Sequence, residues 1–547
     1  MNDTVKLTFP ALLGNSFNNF SNLDAMAFVG EPALKYKEVE TRINAVIAFL
    51  EKLGVKRGDK VSILSMNMPN WGITYFAITS IGAVVVPLLP DFVQSEIENI
   101  LNHAEVKVLF ISNTLLPKIA DLKCKTLQAS VEIEDFSLIG NVKSPAVFEP
   151  EAVSEKEYNV EEDDLAAIIY TSGTAGKSKG VMLSHKNICF TALRGTTIEH
   201  FGVGDRFLSI LPLSHTYENT LGLVLPIFCG ASIYYLRKPP SPTILLPALL
   251  EVRPTAMLTV PLIMEKIYRN KILPAFTDRW LMNKIYQMPF LRKKLNAIAG
   301  KKLRKTFGNQ LHFFGIGGAK LDPVVEKFLL EAGFPYAIGY GLTESAPLLA
   351  GFNPKHPKLQ STGPAMKGVE LTINHPDPIT GEGEIWARGP NVMMGYYKEP
   401  QLTEETVTED GWLKTGDLGM MDGNGYLFIK GRSKNMILGS NGENIYPEEI
   451  ESLINNFHFV NESLVLQQKG KLVALVHFNR EEIETRFYHL KDEFSKNAER
   501  KMDELQKELQ IYVNERVNKF SKLQLVVRQA DPFQKTATQK IKRYLYQ

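Results

Sequence analysis

YTSGTAGKSKG, residues 170–180, follows the apolar run LAAIIY and leads into a second run, GVMLS. Glycines in such a loop let backbone N–H groups approach phosphate oxygens. Thr171, Ser172 and Thr174 add hydroxyl donors, and two lysines add positive charge. The GKS triplet invites a Walker A reading, but that motif needs a glycine five residues before Gly176, where Thr171 stands. A Walker loop also opens directly onto a helix. Here a strand-like segment comes first, and a helix is predicted only after Ser184, a good N-cap for HKNICFTALRG. The stretch is therefore a phosphate loop of another type, held between two strands.

Outward from this loop, apolar strand-like runs alternate with amphipathic segments up to about residue 430. They lie at 60–64, 106–111, 165–170, 231–236, 256–260 and 311–316. That alternation predicts α/β layers with largely parallel sheets. After Glu382, Gly/Asp/Asn turns separate short strands (GEIWARG, GYLFIKG), which predicts a β-rich subdomain. The small and charged residues 431–434, GRSK, mark a boundary. The expected division is a large N-terminal α/β domain, 1–431, and a small mobile α+β domain, 432–547. In the small domain Met502, Leu505, Leu509, Tyr512, Val513, Val517 and Phe520 recur at helical spacing within the highly charged segment 481–520. A surface helix with one buried stripe accounts for them; a coiled coil would need a longer regular stretch.

A chain of 547 residues exceeds what one hydrophobic core organises. The formal net charge of +2 suggests no nucleic-acid partner and no polyanion surface. Cys124, Cys189 and Cys229 are isolated, with no metal spacing, and suit a reducing, cytoplasmic setting. The N-terminus, MNDTVKLTFPALLGN, lacks the basic and apolar regions of a signal peptide, so none is expected. Residues 62–90 carry no charge and are long enough to cross a bilayer. Pro69, Gly82 and Pro87 divide them, however, into a short helix (71–81) and a β-branched strand (83–88), and a lone strand cannot span lipid. A buried core is the expectation, with peripheral membrane contact left open.

Further elements follow in order: Gly317-Gly318-Ala319 after an apolar strand, GYGLTES at 339–345, GWLKTGDLG at 411–419, GRSKNMILGSNGENIYPEEIE at 431–451 and KTATQKIKR at 535–543. With the first loop, this series resembles the adenylate-forming superfamily of acyl-CoA synthetases, luciferase and peptide-synthetase adenylation domains. The loop departs from the family pattern YTSGTTGxPKG at Ala175 and Ser178, and the last element has Gln539 where glycine is usual. The resemblance implies an ATP site formed by Thr171, Ser172, Gly173, Thr174, Gly176, Lys179, Gly317, Gly318, Ala319, Gly339, Tyr340 and Gly341. Within it, Tyr340 stacks on adenine, Thr343 contacts the α-phosphate and Glu344 holds Mg²⁺. Asp417 and Arg432 contact the ribose, Lys434 is the hinge, Gly442 lies beside the coenzyme A path, and Lys540 is the catalytic lysine. LPLSHTYENTLGL, 211–223, resembles the long-chain fatty acyl branch, with His215 lining the acyl pocket.

A carboxylic acid with a pKa near 4.3 is already ionised at neutral pH, so attack on the α-phosphate needs no general base. It needs positive charge and positioning. The expected function is activation of a fatty acid to acyl-AMP and transfer to coenzyme A. The alternatives are delivery to a carrier-protein thiol, adenylation of an aryl or amino acid, and a catalytically silent binding protein.

Overall fold

The computed structural model describes residues 5–140, 146–172, 178–439, 443–481, 483, 494–536 and 540–547, the side chains of 172 and 494–500 excepted. Among the described residues, two eight-stranded sheets form the large domain. In the first, Lys60–Leu64 lies parallel between Val84–Leu88 and Val106–Ile111. Leu165–Ser172 extends the sheet and turns back antiparallel through Ser178–Ser184. In the second, Arg206–Ser209, Ala256–Thr259, Phe313–Ile316 and Tyr336–Gly341 run parallel and in register. These strands are apolar runs because helices cover both faces.

The uncharged stretch 62–90 folds as strand, helix and strand. Its helix, Pro69–Ser80, is buried almost throughout, with Trp71 and Tyr75 stacked at 5.5 Å between ring centroids. No helix among the described residues is long and apolar enough to cross a membrane. The expected β-rich part is an antiparallel sheet of Glu370–Asn374, Gly383–Arg388, Leu413–Met421 and Leu427–Arg432.

Beyond it, Ile445, Ile450, Val465, Val476, Leu509 and Val526 belong to a separate hydrophobic core. The helix there covers Phe494–Asn514. Met502, Leu505, Leu509 and Val513 form its buried stripe, while Val517 and Phe520 fall past its end. The buried stripe, not a coiled coil, thus explains the spacing. The two parts touch: Tyr446 donates to Glu382 at 2.6 Å, and Arg269 donates to Asn456 at 3.1 Å.

Candidate active site

The loop that decided the fold is closed as a hairpin. Thr171 pairs with Lys179 and Ser172 with Ser178 across antiparallel strands. Gly173, Thr174 and Gly176 lie outside the described residues. The helix after the hairpin is His185–Gly195. Its N-cap Ser184 accepts from Asn187 N at 3.2 Å, and Asn187 Oδ1 accepts from Ser184 N at 2.8 Å, a reciprocal cap. The chain therefore returns along a strand before any helix starts, which excludes a Walker geometry.

The segment 339–345 ends the strand Tyr336–Gly341 in a single tight turn, Thr343–Ser345. Glycine is obligatory at 341, where a Cβ would lie 1.7 Å from the Pro347 carbonyl oxygen. Ser345 fixes the turn: its hydroxyl accepts from Leu342 N at 3.0 Å and donates to Pro347 O at 2.8 Å. Asn391, fully buried, donates to Ser345 O and Leu348 O and holds the turn from behind. Thr343 and Glu344 are thereby presented half-buried at the C-terminal edge of the sheet. Gly317 packs there too, with the Tyr217 ring 3.2 Å from where its Cβ would be; Gly318 and Ala319 remain open to solvent.

Asp417 reaches the same edge from the β-rich sheet. It is buried, takes a hydrogen bond from Tyr340 at 2.7 Å on one oxygen, and meets Arg432 Nε at 2.7 Å with the other. Burial raises its pKa, and Arg432, the Tyr340 hydroxyl and Lys540 oppose the rise. Lys434 lies in the turn that follows Arg432, where Asn435 N and Met436 N both donate to Arg432 O. Gly442 is outside the described residues.

Lys540 enters this cluster from the small domain. Its side chain is open to solvent, as in a cleft, yet protein surrounds it at longer range. That surrounding lowers its pKa, Arg432 adds to the effect, and Asp417 and Glu344 pull the other way. Its neighbour Lys535 is engaged elsewhere, 2.5 Å from Glu462. Of the two basic positions, only Lys540 feels the carboxylates of the cluster.

His215 caps the short helix Thr216–Glu218. Burial first, then the charge of Lys540, pulls its pKa down to about 4, so it is neutral at physiological pH. Three residues on, Glu218 is buried and accepts from Ser209 Oγ at 2.6 Å; its carboxyl folds over Gly222, where a Cβ would meet it at 2.7 Å. Burial raises its pKa to about 8.

Sequence reading missed Tyr396. The strand Gly395–Tyr396 pairs with the hairpin at Val181, and the Tyr396 hydroxyl donates to Glu344 Oε1 at 2.8 Å. Lys179 Nζ lies 4.9 Å from the centre of the same ring. One tyrosine thus joins the hairpin lysine to the Glu344 turn. Thr216 is a second omission, 3.5 Å from the Thr343 hydroxyl. Nothing in NVMMGYYKEP marks which tyrosine would face inward; only strand pairing does. Tyr396→Phe is expected to lower kcat/KM by roughly tenfold or more, the scale of one hydrogen bond to a charged group, with little change in thermal midpoint. Initial rates and calorimetry on the variant check this, and an unchanged rate would leave Tyr396 a packing residue only.

Two α/β sheets thus share an edge with a hydroxyl- and lysine-bearing hairpin, a carboxylate turn and a lysine from a separate small domain; this is the build of an adenylate-forming enzyme. The family described as AMP-binding enzyme matches residues 16–397, and the chain belongs to it. Among curated proteins, the long-chain-fatty-acid–CoA ligase heimdall of Drosophila melanogaster is 30% identical, covering 82% of this chain and 72% of the relative. Fatty acyl-CoA synthetase A of Dictyostelium discoideum is 29% identical, covering 79% and 69%. Among solved structures, the ATP-bound RpMatB-BxBclM chimera superposes with a TM-score of 0.77 at 25% identity, over 99% of this chain and 98% of that one.

Proposed function

We propose that this protein is an AMP-forming fatty acid–CoA ligase. It joins a fatty acid to ATP as acyl-AMP with release of pyrophosphate, and the thiol of coenzyme A then displaces AMP. The observation that carries this reading is the buried Asp417, bonded by Tyr340 and paired with Arg432, with Lys540 near enough for its charge to be acted on by Asp417, Glu344 and Arg432. The reaction brings two anions together, so its barrier falls with preorganised positive charge. Lys540, Arg432 and Lys179 supply that charge, while the Thr343 hydroxyl orients the α-phosphate. Asp417 takes the ribose hydroxyls, with Tyr340 beside the base. Neutral His215 lines the acyl passage and moves no proton.

Glu344 would hold Mg²⁺. One carboxylate suits this ion, which keeps waters and phosphate oxygens as its other ligands. When bound, the ion neutralises charge across the phosphates. Among the described residues no group of three or more His, Cys, Asp or Glu forms a ready-made metal cage, which fits an ion arriving with the nucleotide. For the second half-reaction the domain 432–547 turns about Lys434. Lys540 then withdraws, and the segment around Gly442 comes beside the thiol. A carrier-protein thiol is the alternative acceptor. A cytoplasmic enzyme in peripheral contact with a membrane belongs to the same reading, because a long-chain acid resides in lipid.

With a panel of carboxylic acids, ATP should yield AMP and pyrophosphate only when an accepted acid is present. Thioester should form with coenzyme A. Release of ADP and phosphate would overturn adenylation. Acylation of a carrier protein, with coenzyme A inert, would shift the assignment to the alternative.

A further inference from the structure

The strands Ala256–Thr259 and Phe313–Ile316 are parallel neighbours, yet the chain between them makes an excursion far longer than one crossover helix. It includes the helices Trp280–Gln287 and Pro289–Thr306. Tyr286 fixes the pair: its hydroxyl donates to Asn296 Oδ1 at 3.0 Å, and its ring stacks on Phe276 with centroids 4.9 Å apart. Asn296 in turn donates to Glu331 at 2.7 Å. With that side committed inward, the outer side is apolar. Trp280 is 71% exposed, Phe290 69% and Ile298 65%, and Leu281 and Met288 are exposed beside them. Single exposed apolar residues are ordinary; this many in so short a stretch form a patch.

The same stretch is one-sided in charge. Residues 279–306 contain nine Lys or Arg and no Asp or Glu, in a chain whose total is +2. The near-neutral sum therefore hides a local concentration of positive charge. Arg292 pairs with Glu331, and Arg304 donates to Gly333 O. Lys284 and Lys294 lie over the rings of Trp280 and Phe290 at 4.0 and 4.4 Å. Phe290, Lys294 and Ile298 follow one another at helical spacing, so apolar and cationic side chains share one face.

We propose that these two helices dock the protein on an anionic lipid surface. Trp280 and Phe290 enter the headgroup boundary, and Lys284, Lys293, Lys294, Lys301 and Lys302 lie against lipid anions. Protein–protein interfaces are depleted in lysine, whereas exposed aromatics among lysines are the composition of interfacial helices. The excursion leaves the sheet at Val260, whose side chain lies 3.8 Å from the position of a Gly318 Cβ. A lipid-bound excursion is thus continuous with the wall of the active site. This role rests on the fatty-acid reading for its purpose, but lipid binding itself does not require it.

The full chain is sedimented with vesicles of phosphatidylcholine alone and of phosphatidylcholine mixed with phosphatidylglycerol. Binding is expected to the anionic vesicles and to weaken with salt. Lys293→Glu/Lys294→Glu should lower the partition coefficient by on the order of a hundredfold, and Trp280→Ala/Phe290→Ala by roughly tenfold or more. Both variants should keep the native thermal midpoint and their activity on a short, water-soluble acid. Absence of binding to either vesicle, or equal binding by the native chain and both variants, overturns the proposal. Variants that bind vesicles normally but lose an acidic carrier protein overturn it as well, and assign the patch to that protein. Failure on every acid with vesicle binding intact strikes the ligase reading instead.

Discussion

Lys540→Ala should slow acyl-AMP formation by on the order of a hundredfold or more, the usual scale for losing one preorganised electrostatic contact to a transition state. Thioester formation from supplied acyl-AMP should change far less, because the proposed turn of the small domain withdraws Lys540 for that step. Lys535→Ala should cost stability rather than adenylation, since Lys535 lies 2.5 Å from Glu462. Lys542, whose backbone N–H bonds Gln534 O, should tolerate alanine. Single-turnover kinetics of each half-reaction separate these outcomes. Selective loss of adenylation in Lys535→Ala or Lys542→Ala, with Lys540→Ala active, would place the catalytic lysine elsewhere. The pH profile gives a second readout. Lys540 is held below the ordinary lysine range by its surroundings and Arg432. The alkaline loss of adenylation should therefore begin at lower pH than for a solvated lysine, and vanish in Lys540→Ala.

The second large effect concerns Glu218. Burial raises its pKa from 4.5 to about 8, so the folded chain holds it neutral. Below pH 4.5 both folded and unfolded chains carry the proton, and Glu218 places no penalty on folding. As pH rises toward 8 the unfolded chain releases the proton and the folded chain keeps it, so stability falls continuously. At 1.36 kcal/mol per pH unit, the penalty at neutral pH is roughly 3 kcal/mol. Glu218→Gln preserves shape and an acceptor for Ser209 and cannot ionise. Its stability relative to the native chain should rise by roughly 3 kcal/mol between pH 5 and pH 8. Urea denaturation at the two pH values measures the difference. A constant difference would mean that Glu218 is ionised in the folded protein.

Much of the site was readable because each of its elements is local. GYGLTES is one turn, and Gly341 is there because only a backbone without a side chain fits against Pro347 O. Ser184 caps its helix through a residue three positions on, so the cap shows in the sequence. The strand 60–64 was read to its ends, since a buried parallel strand is a bounded apolar run. The run at 311–316 overshoots the strand, which starts at Phe313: Leu311 is buried in the same core as Phe314 and Ile316, so an apolar run marks burial and not the end of strand pairing.

The sequence by itself determined the layered α/β class, the hairpin in place of a Walker loop, and the order of the site elements. Periodicity, caps and glycine turns act over a few residues, so a linear reading reaches them. Only tertiary structure decided which side chains meet across the site. Tyr340 and Asp417 are 77 positions apart, Tyr396 and Glu344 are 52, and Thr216 and Thr343 are 127. Each contact depends on the register of strands from different parts of the chain, which no local pattern carries. The resemblance already singles out Lys540 from the basic run it shares with Lys535; the fold adds that Lys535 pairs with Glu462, while the charges of Asp417 and Glu344 act on Lys540. The basic apolar face at 279–306 was invisible in a net charge of +2, because a sum over the chain discards position. Folding restores it by burying Tyr286 and leaving Trp280 and Phe290 outside.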